Sequence, residues 1–412
     1  MDGTVIVGGG PAGASLAVRL ASVGWPVRLV EAQVGPHDKV CGEFLSFEAE
    51  LYLAELGVDP VALGATEIRD VALWHGARRA SARLPFRALS LSRRVMDEAL
   101  LLAATRAGAV VLRGRRAAGV EPVGAGWRVR LDDGQTIDAM RVVLATGKHD
   151  LRGYPRPPGR QTDLIGFKQR WRLAAEARDL GGVVELHLFP GGYAGLQSSG
   201  PDGMANLCLA VRRRSFAAAG KTWDGLMTTL TGACPGLARR ARGAEPETDK
   251  PLAIGAIPYG HVQRRADGLW RIGDQAAVIP SFAGEGMAIA LHSARVAAEV
   301  ILRGGSAGCF HRSLAQDVGR QIGRATWLSR ALVLPTGQAL TGSAARLVPA
   351  SLAFVGRTTR IRREALRTGG EAGSVGQRPE RIAGTAALGG GPGDPGQAGT
   401  GGPAPREAVL PP

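Results

Sequence analysis

Residues 4–31, TVIVGGGPAGASLAVRLASVGWPVRLVE, constrain the fold more than any other stretch of the chain. Val5, Ile6 and Val7 read as a buried parallel strand and run straight into Gly8-Gly9-Gly10-Pro11-Ala12-Gly13, a G-x-G-x-x-G pattern that opens a helix. Gly8 permits the tight turn, Gly10 lets a pyrophosphate approach the backbone, and Gly13 lets helix and strand pack closely. Ala12 lies in the first helical turn, whose orphan N–H groups face the anion. The helix carries Leu16, Ala17, Leu20 and Ala21 on one face and ends near Gly24. A second strand, Val27 to Val30, then delivers Glu31. A carboxylate there accepts hydrogen bonds from both hydroxyls of an adenosine ribose and repels a 2′-phosphate, so the pattern predicts FAD or NAD rather than NADP. Among 60 glycines in 412 residues a glycine pattern arises easily by chance. Its position between strand and helix, with an acidic strand end to follow, gives this one its meaning.

A net charge of +15 invites a nucleic-acid reading, yet only five of the 51 basic residues are lysines. An arginine bias of that kind reflects nucleotide composition more often than function, and no nucleic-acid-binding motif accompanies it, so no nucleic-acid partner is predicted. No run of 18 apolar residues appears and the first strand begins within a few residues of the start, which predicts neither signal peptide nor spanning helix. Cys41, Cys208, Cys234 and Cys309 form no C-x-x-C pair, which predicts no disulfide framework or metal site and fits a reducing cytoplasm.

The remaining pattern alternates between domains. Arg93 to Ala107 reads as a helix, Val110 to Leu112 and Arg141 to Leu144 as parallel strands, and Trp127 to Ile137 as part of a small meander with a turn at Asp133-Gly134. From Asp163 to about Val211 the period becomes 2, as expected for an antiparallel sheet. Leu269 to Asp274 is a strand ending in Gly-Asp, and Ser281 to Met287 opens a long helix through Leu302. Asp274 is placed for the ribitol or pyrophosphate side of FAD, and the free N–H groups at Gly286 and Met287 suit the N1–C2=O edge of a flavin, anionic on reduction. NAD-only dehydrogenases lack this later half, which favours FAD. From Arg320 to Arg367 nine arginines face one acid, Glu364, among apolar residues. That composition suits either an anionic membrane surface or solvated arginines on packed helices, with Arg360, Arg362 and Arg363 as the basic cluster to probe. Residues 368–412 are rich in Gly, Pro and Ala, and disorder is predicted.

Lys39-Val40-Cys41-Gly42-Glu43-Phe44-Leu45-Ser46 resembles the C-G-x-x-L-S segment of the geranylgeranyl reductases, which belong with the para-hydroxybenzoate hydroxylase-like flavoproteins. The resemblance implies that Cys41, Gly42 and Phe44 lie beside FAD, with the cysteine close to the isoalloxazine. It implies that Arg93 reaches the cofactor, that Ala117 borders the adenine, and that Pro190-Gly191-Gly192-Tyr193 begins the substrate motif. That motif departs here at Gly195, Gln197 and Ser198, where the family has Trp, Phe and Pro.

The expected architecture is α/β: a Rossmann-like FAD-binding domain (1–160 and 250–305), an inserted antiparallel-sheet substrate domain (161–249, with hairpin 67–91), and C-terminal helices (306–367). The favoured activity is FAD-dependent reduction of carbon–carbon double bonds in an isoprenoid, lipid-like or polyketide-like substrate, with non-covalent FAD and NAD(P)H as a transient electron donor. Cys41 and Tyr193 are the catalytic candidates, Tyr193 or a water near Cys41 being the proton source. The alternatives are an FAD-dependent monooxygenase of an aromatic or polyketide substrate and a flavin-binding membrane-surface protein without turnover. A cytoplasmic location follows, with peripheral contact to the inner membrane face.

Overall fold

The computed structural model describes residues 3–367 apart from Pro201 and Asp267. The disorder expected of residues 368–412 lies outside the described residues.

A five-stranded parallel sheet holds the order Trp270–Arg271, Arg141–Leu144, Thr4–Val7, Val27–Glu31, Val110–Arg113. Its strands are apolar on both faces because both are covered. Ile6, Leu29 and Val143 pack beneath the helices Pro11–Ala21, Arg93–Arg106 and Gly286–Leu302. Val5, Val7, Val142 and Leu144 point the other way, onto the meander Ala117–Val123, Gly126–Leu131, Thr136–Ala139. The last strand is only Trp270–Arg271, shorter than the expected 269–274, because the chain turns into a 3-10 turn at Gly273–Gln275.

The second sheet has nine strands. Its path runs Glu245–Pro246, Leu164–Arg172, Met204–Arg212, Gly192–Ser198, Val183–Phe189, Thr66–His75, Arg78–Ser90, Phe44–Ser46, while Leu252–Ile254 also pairs with Leu164–Arg172. The pairing of Val183–Phe189 with Thr66–His75 is parallel, so the early hairpin is part of this sheet and not a separate arm. Alternation gives the sheet two chemically different faces. Phe167, Ala194, Leu196, Leu207, Leu209 and Val211 form a core under the helices Trp223–Ala233 and Pro235–Ala241. In the cross-strand register Lys168 sits opposite Cys208, Cys208 opposite Gly195, and Asn206 opposite Gln197, a row of polar and small residues on the other face.

The C-terminal helices are Ala307–Leu332, Pro335–Leu347, Ala350–Thr358 and Arg363–Arg367. Phe310, Leu314, Val318, Ile322 and Ala325, at helical spacing, bind the first of them to the dinucleotide core.

Under the helix-covered face lies a buried ion cluster. Arg240 donates from NH2 to Glu185 Oε1 at 2.8 Å and from Nε to Oε2 at 3.2 Å, and His187 Nε2 lies 3.2 Å from the same carboxylate. Burial opposes the charge of Glu185, but the His187 and Arg240 hydrogen bonds outweigh it and hold the carboxyl at about 2. A carboxyl depressed by folding stabilises the fold fully above its ordinary value of 4.5, and that contribution is lost as pH falls toward 2. Glu185→Gln should cost about 3 kcal/mol, the scale of a broken buried ion pair. Urea unfolding at pH 7 checks the loss, and the acid-dependent step should be missing in the variant.

Candidate functional site

The glycine turn is shaped by close approaches. Gly8 has φ of +110°, and a Cβ there would stand 2.5 Å from the Ala145 carbonyl oxygen. A Cβ on Gly13 would stand 1.9 Å from the Gly8 carbonyl oxygen, so strand and helix touch backbone to backbone. Gly10 differs, because a Cβ there would meet only the Arg93 guanidinium, at 3.6 Å. The helix N-terminus at Pro11, Ala12 and Gly13 therefore has free backbone at its mouth and no room behind it, a cradle for a pyrophosphate.

Glu31 is buried at the end of its strand. Gly9 N–H donates to its Oε2 at 2.7 Å and Gln33 N–H to its Oε1 at 2.9 Å, so the carboxylate braces the turn and keeps lone pairs for ribose hydroxyls. Ala117 begins the meander just beyond, packed against the same core. Arg93 is buried and makes a bidentate pair with Asp97, 2.7 Å at each contact. Burial works against its charge, but Asp97 and the nearby Cys41 sulfur more than offset that and raise its pKa. Arg93 thus stands between Gly10 and Cys41 as a fixed cation. Lys39 is nearby, its pKa lowered by burial and by Arg93.

The Cys41 loop crosses from one sheet to the other. The Asn206 amide donates to the Cys41 carbonyl at 3.1 Å, and Glu43 N–H lies 3.4 Å from the Cys41 sulfur. Glu43 has a left-handed φ of +59° and is fully buried. Its Oε1 accepts from Lys168 Nζ at 2.6 Å and from Arg93 N–H at 3.0 Å. Lys168 also donates to Asp38 at 2.9 Å. Burial disfavours the ammonium, but Glu43 and Asp38 prevail and raise its pKa. Lys148 donates to the Val40 carbonyl and pairs with Asp274, each at 3.3 Å, which places Asp274 beside the same loop.

Opposite this loop stands the helix Gly286–Leu302. Gly284, at φ of +66°, lies so close to Phe44 that a Cβ would come within 2.7 Å of the ring. Neither Gly42 nor Gly286 has anything within 4 Å of where a Cβ would be, so open space lies beside both. Met287 is buried below. Tyr193 is also buried, edge-on to Phe282, and its hydroxyl lies 3.2 Å from the Ser281 hydroxyl, which also accepts from Tyr259 at 3.0 Å. Burial pushes both phenols up, Tyr259 to about 12.

The scan of protein families matches an FAD-NAD(P)-binding domain over residues 5–149. Menaquinone reductase of Mycolicibacterium smegmatis is 28% identical over 364 residues, covering 83% of this chain and 87% of that protein. Digeranylgeranylglycerophospholipid reductase 2 of Methanopyrus kandleri is 28% identical over 315 residues, covering 72% and 76%. This chain is an FAD-dependent oxidoreductase, similar in sequence to a menaquinone reductase and to digeranylgeranylglycerophospholipid reductases. The flavin-dependent brominase Bmp2 shares its fold, with a TM-score of 0.72 at 18% identity over 87% of this chain and 93% of that one. The halogenase PltM, solved with phloroglucinol and FAD, superposes with a TM-score of 0.69 at 14% identity over 86% and 82%.

The residues present fit FAD. Gly8, Gly10, Ala12, Gly13 and Glu31 lie at one end of the candidate site, Arg93, Asp274 and the Cys41–Phe44 loop in its middle, and Gly286 and Met287 at the other end, and we propose that this order follows the cofactor from adenosine to flavin. Sequence reasoning missed Lys168, Asn206, Ser281 and Tyr259. The one available pointer was Lys168, a rare lysine at an alternating position of a strand. Of the departures from the reductase motif, Gln197 is buried and donates to the Ser90 hydroxyl at 2.7 Å, tying the sheet to the hairpin. Gly10→Ala in this oxidoreductase should fold normally and bind FAD at least about tenfold more weakly, 1.4 kcal/mol, whereas Gly13→Ala should fail to fold. Titration with FAD and circular dichroism check both.

Proposed function

We propose that this oxidoreductase reduces carbon–carbon double bonds in an isoprenoid or other lipid-like substrate. The observation that carries the reading is the sheet face turned toward the Cys41 loop. There Gly195, whose absent side chain leaves only the Cys208 carbonyl oxygen within 4 Å, is flanked by Leu186, Cys208 and Tyr193. The space left by Gly195 between Leu186 and Tyr193 can take part of an apolar chain, and the relatives whose names print polyprenyl lipids and menaquinone support that substrate class.

FAD held by Glu31, Arg93, Asp274 and the start of the helix at Gly286 would supply the hydride chemistry, with NAD(P)H as the class of donor that would restore the electrons. Reduction of a double bond also needs a proton. Tyr193 carries its proton because burial pushes its phenol up; the same burial disfavours the phenolate, so donation relies on the Ser281 hydrogen bond to take up the charge, and Ser281, exposed and hydrogen-bonded to both Tyr193 and Tyr259, gives a path for the proton's replacement. Lys168, Glu43 and Asn206 fix the Cys41 loop against the substrate face and keep water out of the junction. In anaerobic single-turnover experiments with chemically reduced enzyme and a menaquinone or geranylgeranyl lipid, the flavin should reoxidise as the saturated product forms. Tyr193→Phe should retain FAD and slow that step about 100-fold. Product that forms only after oxygen is admitted would make the enzyme a monooxygenase instead.

A lipid substrate requires a way to reach it, and we infer peripheral docking through the C-terminal helices. Leu340, Leu347 and Phe354 are 73, 82 and 66% exposed on Pro335–Leu347 and Ala350–Thr358, and Trp327 is 73% exposed on the helix before them. Arg330, Arg346 and Arg357 are exposed among them, and residues 318–363 contain no acid. No single helix among the described residues is long and apolar enough to cross a membrane, and the helix pair is bent by 117°. Contact with one face of an anionic bilayer fits this surface. Leu340→Glu/Leu347→Glu should abolish sedimentation with phosphatidylglycerol vesicles without changing the melting temperature. Unchanged sedimentation contradicts the docking.

A further inference from the structure

One arginine of the basic C-terminal stretch does not face out as its sequence context predicts. The Arg360 side chain is 10% exposed, while Arg362 is exposed and the side chain of Arg363 lies outside the described residues. Its NH1 group pairs at short range with Glu285, its NH2 group donates to the Ala283 carbonyl at 2.9 Å, and its Nε donates to the Gly356 carbonyl at 3.0 Å. The guanidinium lies 4.1 Å above the Phe86 ring and 6.0 Å from that of Phe44, with a Glu48 oxygen 3.9 Å away. Solvation cannot explain so many directed contacts.

All of them converge on the start of the flavin-side helix. Ala283 closes the turn before it, Gly284 takes the left-handed conformation against Phe44, and Glu285 is the residue that caps Gly286. A fully buried carboxylate one residue from N–H groups that serve a flavin anion would oppose that anion unless it were balanced. Burial pushes Glu285 up to about 7, Glu48 adds to the rise, and Arg360 works against both.

We propose that Arg360 is a positioning residue for FAD: it fixes the Ala283–Met287 turn and balances the Glu285 carboxylate, so that the helix start favours the reduced, negatively charged flavin. The proposal rests on the assignment of Gly286 and Met287 to the flavin. It makes the C-terminal region part of the redox site, since the residue that sets the charge beside the flavin comes from the turn between Ala350–Thr358 and Arg363–Arg367.

The test is the midpoint potential of bound FAD followed from pH 7 to 10, because loss of Arg360 lets burial and Glu48 push the Glu285 carboxyl higher still and the effect of its charge is read where it is ionised, with folding checked by melting. Arg360→Gln should bind reduced FAD about tenfold more weakly relative to oxidised FAD, a fall of about 30 mV for a two-electron couple. Arg360→Gln/Glu285→Gln should restore the potential. Glu285→Gln alone leaves Arg360 unopposed and should raise the potential by a similar amount, which provides a reading even where loss of Arg360 prevents folding. Gly286→Leu fills the open space at the helix start and should lose FAD. Unchanged potentials in Arg360→Gln and Glu285→Gln, with FAD lost in Gly286→Leu, overturn the proposal alone. Normal FAD binding by Gly286→Leu removes the flavin from this helix and overturns the assignment beneath it.

Discussion

The ammonium of Lys168 joins the two sheets. It rises from the antiparallel sheet and ends against Glu43 and Asp38, carboxylates of the loop that leaves the dinucleotide sheet. A buried charge without its partners would cost about 3–5 kcal/mol, so the loop is held where the ammonium needs it. Glu43 in turn accepts from the Arg93 backbone, and Arg93 stands at the mouth of the glycine turn. The position of Cys41 relative to the pyrophosphate cradle therefore follows from charges that must find one another. Local preferences of the loop would not produce it, since Glu43 adopts a left-handed conformation that its side chain disfavours.

The parts of the site that rest on local rules were legible in the sequence. The glycine turn, its strand and its helix follow from steric demands within a dozen residues, and the antiparallel sheet follows from alternation. What escaped was long-range. Lys168 meets Glu43 across 125 residues and Arg360 meets Glu285 across 75, and no period or spacing announces such pairs. Arg360 was misread for a physical reason: a stretch with nine arginines and one acid looks solvated, and the carboxylates that draw one arginine inward lie far upstream. Gln197 shows the same limit, because in the sequence it is only a departure from the substrate motif while its amide reaches the hairpin.

The two faces of the antiparallel sheet divide stability from the surface next to the Cys41 loop. One face is an ordinary apolar core beneath two helices. The other carries Lys168, Asn206, Cys208, Gly195, Gln197 and Tyr193, which do not contribute to that core. Gly195 sets the space available there, and Lys168 and Asn206 keep the Cys41 loop in register with it.

We propose a single flavin bound across the parallel sheet without covalent attachment, reached by backbone at Gly10, by Arg93 and Asp274, and by the helix start at Gly286. The most direct test is flavin stoichiometry in the purified full-length chain, followed by acid precipitation. One FAD per chain, released intact into the supernatant, is the predicted result. A colourless protein that takes up no added FAD, or a flavin that stays with the precipitate, would contradict it.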